Sequence, residues 1–325
     1  MKKETLYENY RLIDTKEYTI ADEYSSDKYI YARKSPVNND IRENKNRFMF
    51  KVNVTDVPID IAEEVAYKIA NSIGISCCRA EVCKRKRNSI VKDTYDVGVR
   101  SFYNLSQKDK LISSSTLVNE YIKYLNGSID SIPHLYDFEL IMKSILHRIM
   151  KVSQRPYSEF LNVRQQFIDM MIFDLKFANY DRGRDNWMLR HSMATGEFSL
   201  YPMYDNEAIL GFDAPIDIAS FNSTEISDYS NSLKYPIVRP LDKNRVNYLD
   251  MMEYLLEKYP KETKKSMEKV FMFTYEDLEH VLDEYENLHE DRKKIIKKIF
   301  LDRDLKMKHI YKTYLEKEDF KDIGG

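Results

Sequence analysis

Three oxygen-bearing side chains are spaced so that they could act together on a phosphorylated substrate. Asp181 is followed five residues later by Asn186, and Asp205 comes at the end of a second apolar stretch. Phosphoryl transfer from Mg-ATP needs one carboxylate beside the attacking hydroxyl, and magnesium takes oxygen ligands from a second carboxylate and an amide. The segment therefore offers Asp181 as the catalytic carboxylate and Asn186 and Asp205 as magnesium ligands.

A predicted β-hairpin would bring Asp205 back beside the other two side chains. Residues 187–189 are apolar, residues 194–197 form a plausible turn, and residues 198–204 alternate with a period of two. A return of this length places the end of the second strand near the start of the first.

Taken singly, each carboxylate would more often be a helix cap or a surface ion pair. An Asp five residues before an Asn is also common by chance. The fuller string, which adds Asp174, Asn179 and Arg182, is much more specific and favours phosphoryl transfer. Arg182 is expected to brace the loop through an ion pair.

The string DRGRDNW at residues 181–187 resembles the catalytic loop of the HipA-like serine/threonine kinases, and it is similar to that of the type II phosphatidylinositol 4-kinases. Gly183 is nearer the lipid kinases, because HipA-type loops usually have histidine there. The string YDNE at residues 204–207, followed by Leu210, resembles the magnesium-binding motif of HipA relatives. The resemblance implies a kinase-like fold, ATP and Mg²⁺ as cofactors, and transfer to a serine or threonine hydroxyl of a protein, including autophosphorylation.

Composition limits the function classes. The 325 residues include 51 basic and 53 acidic side chains, a net charge of −2, which gives no bulk attraction to nucleic acid or an anionic membrane. No apolar run approaches the roughly 20 residues that span a bilayer. The N-terminal residues lack a secretory signal, so a cytoplasmic location is expected. Cys77, Cys78 and Cys83 are too few and too clustered for a disulfide framework or a tetrahedral metal site.

The chain changes character near residue 120. Before it, short runs rich in β-branched and aromatic residues predict strands at 29–32, 48–54, 77–82 and 94–99, and a four-residue apolar repeat predicts one helix from Ile61 to Gly74.

Beyond residue 135 the spacing predicts helices at 135–150, 160–174, 246–258 and 275–288, with Thr274 and Asp277 as the start signal of the last. The Lys- and Glu-rich residues 291–321 are interpreted as a solvated pair of helices. The expected fold is α+β and bilobal, as in protein kinases, with an N-lobe at 1–118, a hinge at 119–122 and a helical C-lobe at 123–325.

Such an N-lobe should hold a lysine for the ATP phosphates and a helix glutamate that orients it. Lys51 interrupts an apolar strand shortly before the predicted helix, and a buried ammonium at this position would require an anion. Glu63 and Glu64 both flank the apolar stripe of that helix, and periodicity does not separate them. The position of the corresponding glutamate along this helix in HipA-like kinases, which the sequence resembles, favours Glu63.

Between the lobes, Glu120 and Tyr121 resemble a hinge whose backbone holds adenine. No glycine occurs between residues 33 and 47, so a Gly-rich phosphate loop is not expected there, and ordinary eukaryotic-type protein kinases fit poorly. Arg33, Lys34, Ser35 and Lys45 could contact phosphate by their side chains instead, or could simply solvate a loop.

Three functions compete. A protein Ser/Thr kinase that takes a protein substrate is favoured, with no direct binding of nucleic acid and no stable membrane insertion. A lipid kinase is supported by the amino-acid sequence of the loop at residues 181–187, although the chain shows no basic membrane patch. A non-catalytic relative that binds nucleotide is the third. The oligomeric state is left open.

Overall fold

A six-stranded sheet and a mainly helical unit face one another across a cleft, which gives the bilobal α+β fold expected from the sequence. The computed structural model describes residues 10–14, 16–25, 27–35, 46–86, 94–106, 108–125, 137–183, 185–240 and 244–323. The large sheet has the order β1-β5-β6-β4-β3-β2. Its strands are β1 (Arg11–Leu12), β2 (Tyr18–Ser25), β3 (Lys28–Arg33), β4 (Arg47–Val52), β5 (Ala80–Lys86) and β6 (Tyr95–Phe102).

The two faces of the sheet differ because side chains alternate along each strand. On β4, Phe48 and Phe50 are fully buried in an aromatic cluster with Tyr31 and Phe102. The alternate position, Lys51, points the other way, into the cleft. The alternation therefore delivers one lysine to the cleft while its neighbours hold the strand in place.

The helix α1 (Ile59–Ser72) packs on β5 and β6. Ala62, Val65, Ile69 and Ala70 are completely buried, which confirms the four-residue repeat. Each branched side chain buried this way contributes about 1.5–3 kcal/mol. Gly74, at φ +69°, follows the helix end, where a residue without Cβ adopts the left-handed conformation without strain.

The second unit contains a three-stranded sheet of order β7-β8-β9 and eight helices in the part of the chain that the structure describes. The strands are β7 (Asp109–Ser113), β8 (Met188–Ser192) and β9 (Phe198–Leu200). The helices are α2 (Ser114–Tyr124), α3 (Phe138–Met150), α4 (Pro156–Lys176), α5 (Ser223–Ser232), α6 (Tyr248–Lys258), α7 (Pro260–Phe271), α8 (Tyr275–Asp283) and α9 (Glu290–Ile323). No helix within these described ranges is long and apolar enough to cross a membrane.

Several local predictions are confirmed. The strands β8 and β9 pair as an antiparallel hairpin in which Leu189 faces Leu200. Thr274 and Asp277 form a reciprocal capping box at the start of α8. These features depend on residues close in sequence, which is why the pattern alone identified them.

One prediction is wrong. The C-terminal residues form one helix, α9, and it is not simply solvated, because Ile295, Ile299 and Arg303 are buried against the rest of the unit. Residues 119–122, where the hinge was expected, lie inside α2, and helical hydrogen bonds occupy their backbone groups. The strand β7 pairs with β8, so β7 and α2 belong to the helical unit. This unit therefore begins earlier in the chain than residue 123, where the C-lobe was expected to start.

Candidate active site

Lys51 lies at the centre of the cleft. Its Nζ is 3.4 Å from Oδ1 of Asp205 and also forms an ion pair with Glu207. Burial alone would lower the pKa of Lys51, but the carboxylates of Asp205 and Glu207 outweigh it and raise the pKa. The lysine therefore stays charged where it can meet an anionic ligand.

Glu207 is a residue that sequence reasoning missed. It lies two positions after Asp205, so the short segment that carries Asp205 into the cleft carries Glu207 with it. That spacing is the signal that could have identified it. Burial raises the pKa of Glu207, and Lys51 opposes the shift.

Glu63 and Glu64 of α1 have different partners. Glu63 is buried, and its Oε1 accepts a hydrogen bond of 2.7 Å from the backbone N–H of Asn206. Glu64 accepts a 2.9 Å bond from the backbone N–H of Val82 and lies outside the cleft. The residue that faces the site is thus Glu63, but it fastens the loop after Asp205, and no ion pair joins it to Lys51 within 4.0 Å. Burial, together with Asp205 and Glu207, raises the pKa of Glu63 to about 8.

Asp205 adopts a left-handed backbone conformation, at φ +56°. Such a conformation is strained for a residue with a Cβ and persists only where the surroundings enforce it. Glu63 and Arg182 hold the residues on either side of Asp205, since Arg182 Nη1 donates to the Tyr204 carbonyl at 2.8 Å. These contacts on both sides hold the backbone of Asp205 in its left-handed conformation.

Asp181 and Asn186 are joined within their loop. Asn186 Nδ2 donates to the backbone carbonyl of Asp181 at 2.7 Å, so its Oδ1 is the end left to accept or to bind a cation. Asn186 lines the same cavity as Asp205. The side chain of Asp181 is largely exposed. Partial loss of solvent around its carboxyl group, followed by the charge of Asp205, raises the pKa of Asp181. The structure thus brings four of the predicted site residues, Lys51, Glu63, Asn186 and Asp205, to one cavity, and Asp181 lies in the adjoining loop, bonded to Asn186 through its carbonyl.

Arg182 is fully buried and joins three segments, which confirms its predicted bracing role. Its guanidinium makes a two-bond contact with Asp174 of α4, at 2.9 and 3.0 Å. It also donates to the carbonyl of Asn186 at 2.9 Å and to that of Tyr204. A planar guanidinium suits this task because its donors diverge in a fixed fork.

A cavity of about 440 Å³ opens beside Lys51. One wall is apolar and is formed by Ile30, Met49, Val99, Phe102, Leu111 and Met188. The opposite end contains Lys28, which pairs across the strands with Lys51. A cavity with an apolar wall and two lysines in its lining suits a base attached to a phosphate chain.

Other predicted residues are not brought to this cavity. Glu120 contacts Arg148 at 3.3 Å, and the Tyr121 ring packs near that of His147. Arg33 pairs with Glu17 at 2.6 Å, at the far end of β3 from Lys28. Lys34 and Ser35 are described but do not line the cavity, and Lys45 lies outside the described residues.

The donor set suits a hard divalent cation. Carboxylate oxygens of Glu63, Asp205 and Glu207 lie within 4.8 Å of one another, and Asn186 adds an amide oxygen on the same cavity. Lys51 offsets part of this acidic charge at close range. Magnesium prefers such oxygen ligands, so the residues present fit the metal that phosphoryl transfer requires.

Comparison with solved structures identifies a similar fold. The crystal structure of a Helicobacter pylori proinflammatory kinase, CtkA, superposes with a TM-score of 0.65 at 16% identity, covering 86% of this chain and 94% of that one. The structure of the Shewanella oneidensis toxin–antitoxin system HipA, with HipB and operator DNA, has a TM-score of 0.49 at 10% identity, covering 91% of this chain and 66% of that one. The structure of the amicoumacin kinase hAmiN, in complex with AMP-PNP, Ca²⁺ and Ami, has a TM-score of 0.24 at 12% identity, covering 94% of this chain and 92% of that one. No protein-family model and no curated protein matches the sequence. The chain therefore shares the overall fold of the Helicobacter pylori kinase structure.

Proposed function

We propose that this protein is an ATP- and Mg²⁺-dependent phosphotransferase that phosphorylates serine or threonine hydroxyls of proteins, itself included. The observation that carries the proposal is the convergence of Lys51 and Asp205, 3.4 Å apart, with Asn186 on the wall of one cavity. These residues come from three separate segments, and surface ion pairs alone would not require their convergence.

The apolar wall near Phe102 would take the adenine, and Lys51 and Lys28 would contact the phosphates. We place the interlobe connection at residues 103–106, between β6 and β7, because Tyr103 lines the cavity whereas the residues of α2 do not. This connection replaces the hinge expected at Glu120 and Tyr121.

Asn186 and Asp205 would hold the magnesium ion, with Glu207 beside them. When bound, the ion neutralises charge on the bridging phosphate oxygens. Glu207 would also brace Lys51, the task expected of Glu63, while Glu63 holds the loop through Asn206.

Asp181 would accept a hydrogen bond from the substrate hydroxyl and take its proton during transfer. Its exposure at the mouth of the cleft supports this role, because a macromolecular acceptor must reach it. Asn186 limits the freedom of the loop by bonding to the Asp181 carbonyl.

The test is incubation with labelled ATP and Mg²⁺ in the presence of casein and phosphoinositide vesicles. We expect label in casein or in the protein itself. Asp181→Asn should reduce transfer by about 10²–10⁴-fold while leaving nucleotide binding intact. Asp205→Asn should abolish transfer and weaken Mg²⁺-dependent nucleotide binding. Asp228→Asn, an exposed change on α5, is the matched control.

A lipid kinase is the second candidate, favoured by the DRGRDNW string at residues 181–187. Label in the vesicles alone would replace the protein acceptor by a lipid. Normal nucleotide binding with label in neither acceptor would instead indicate a non-catalytic relative.

A further inference from the structure

A second cavity, of about 420 Å³, lies behind the active site and separate from its catalytic residues. Its floor includes Asp169 and Met203, which are buried. Its walls come from both units, because Ser76 belongs to the segment after α1 whereas Gln166 and Lys265 belong to α4 and α7. The volume falls within the roughly 300–1,000 Å³ of small-molecule sites.

The cavity is polar, and its cations outnumber its acids. Arg190, Lys265 and Lys269 line it, and Asp169 is the only acid among the described lining residues. Asp169 is already neutralised, because Lys269 Nζ donates to it at 2.6 Å and Ser266 Oγ donates to its other oxygen at 2.6 Å. The acid therefore offers little repulsion to a bound anion.

Two of the cations keep donor capacity. Lys265 is exposed at the rim and has no ion-pair partner within the described ranges. Arg190 forms an ion pair with Asp109, whose Oδ2 lies 3.5 Å from its Nε, and this buried Nε makes no hydrogen bond. A buried donor without an acceptor is costly, and it marks a place where a ligand oxygen would be stabilised.

The amide side chains add oriented donors. Gln166 accepts a 2.7 Å hydrogen bond at Oε1 from the backbone N–H of Leu200, so its NH₂ group is the end that remains. Asn162, one turn earlier on α4, lines the same cavity. Donors thus arrive from α4, α7 and β8, and tetrahedral phosphoryl oxygens can accept from several directions at once.

We propose that this cavity is a second binding site, for a small phosphorylated metabolite held by Arg190, Lys265 and the amide of Gln166. The site bridges the two units through its back wall, where Met203 N donates to the Ser76 carbonyl at 3.0 Å. It is complete only when the units are arranged as in this structure. Bound ligand should therefore stabilise the folded protein by mass action.

The test is calorimetric titration with inorganic phosphate and, separately, 3-phosphoglycerate, without nucleotide. We expect saturable binding at one site and a raised unfolding temperature. The double variant Arg190→Gln/Lys265→Gln should weaken binding about tenfold or more, because each charge-assisted bond contributes over 1 kcal/mol. Lys261→Gln, on the same helix but outside the lining, is the matched control for charge.

Lys51→Gln separates this site from the nucleotide cleft and should leave the binding unchanged. Loss of binding in that variant would place the phosphate in the cleft and overturn the proposal. Binding that survives the double variant, or no saturable binding up to about 10 mM of either probe, would also overturn it. Should the double variant fail to fold, Lys265→Gln alone applies the same criterion at an exposed position. None of these outcomes depends on phosphotransfer.

Discussion

Glu63 accepts a 2.7 Å hydrogen bond from the backbone N–H of Asn206, which joins helix α1 of one unit to the residue after Asp205 in the other. We expect Glu63→Ala to lower transfer by about 10- to 100-fold, the range measured when residues that support metal ligands are removed. Glu63→Gln keeps an acceptor oxygen and should lose less. The measurement is the transfer rate against Mg²⁺ concentration.

Glu64 provides the matched control for this prediction. Glu64→Ala removes the acceptor for the Val82 N–H, which should cost about 1–3 kcal/mol of stability and leave the Mg²⁺ dependence alone. If only Glu64→Ala required more Mg²⁺, the positioning role would belong to Glu64, and the assignment to Glu63 would be wrong.

Arg182 and Asp174 form a fully buried ion pair. We expect Arg182→Met to lower the free energy of unfolding by about 3–5 kcal/mol, because it leaves a buried carboxylate without its charge partner. Denaturant unfolding measures this change. Arg155→Met, at the exposed start of α4, should change stability by no more than about 0.5 kcal/mol. Similar midpoints for the two variants would show that Arg182 does not hold the loops together.

Lys176 is buried at the end of α4, and burial lowers its pKa to about 8 despite its ion pair with Asp304. The unfolded chain, with a lysine pKa near 10.5, binds more protons between these values, so this residue should make stability rise as pH increases from about 8 to 10.5. Lys176→Met should remove that rise. Asp304 would keep Lys308 as a partner, at 2.8 Å.

The check is the free energy of unfolding measured from pH 7 to 10.5. Lys308→Met, at a half-exposed position, should retain the rise. The prediction fails if the Lys176→Met profile runs parallel to that of the wild type, or if both variants flatten it equally.

Gly98 marks the closest approach of β6 to β4. A Cβ at this position would lie 1.9 Å from the carbonyl oxygen of Lys51, so Gly98→Ala must push the strands apart. We expect a loss of about 1–3 kcal/mol or more, and weaker nucleotide binding because Lys51 moves. Gly183→Ala, with open space around it, should unfold as the wild type does. Equal stability of the two variants would contradict the close approach.

Much of the candidate site could be predicted because its signals are local. Asp181 and Asn186 lie within one short loop, and the β8–β9 hairpin returns the chain to Asp205. The partner of Lys51 was not predictable in the same way. Glu207 is 156 residues from Lys51, and no local pattern records which carboxylate meets a distant ammonium.

Both departures from the sequence-based expectations involve long-range contacts. The hinge was expected at residues 119–122, but β7, which pairs with β8 across 75 residues or more, leads directly into α2 there. The residues of α9 are mostly polar, yet a narrow stripe that includes Ile295 and Ile299 is buried against distant segments. Periodicity measures only the near neighbours of a residue, whereas burial depends on what packs against it.

By itself, the sequence determined the helix α1, the β8–β9 hairpin and the bilobal outline, and it singled out Lys51, Asp181, Asn186 and Asp205 as candidate site residues. Only the tertiary structure decided that Glu63 holds Asn206, that Glu207 pairs with Lys51, and that a second polar cavity lies behind the cleft. Spacing along the chain fixes which side chains share a face, because backbone geometry is periodic. Which faces then meet is set by long-range packing, and that packing chooses the partner of each buried charge.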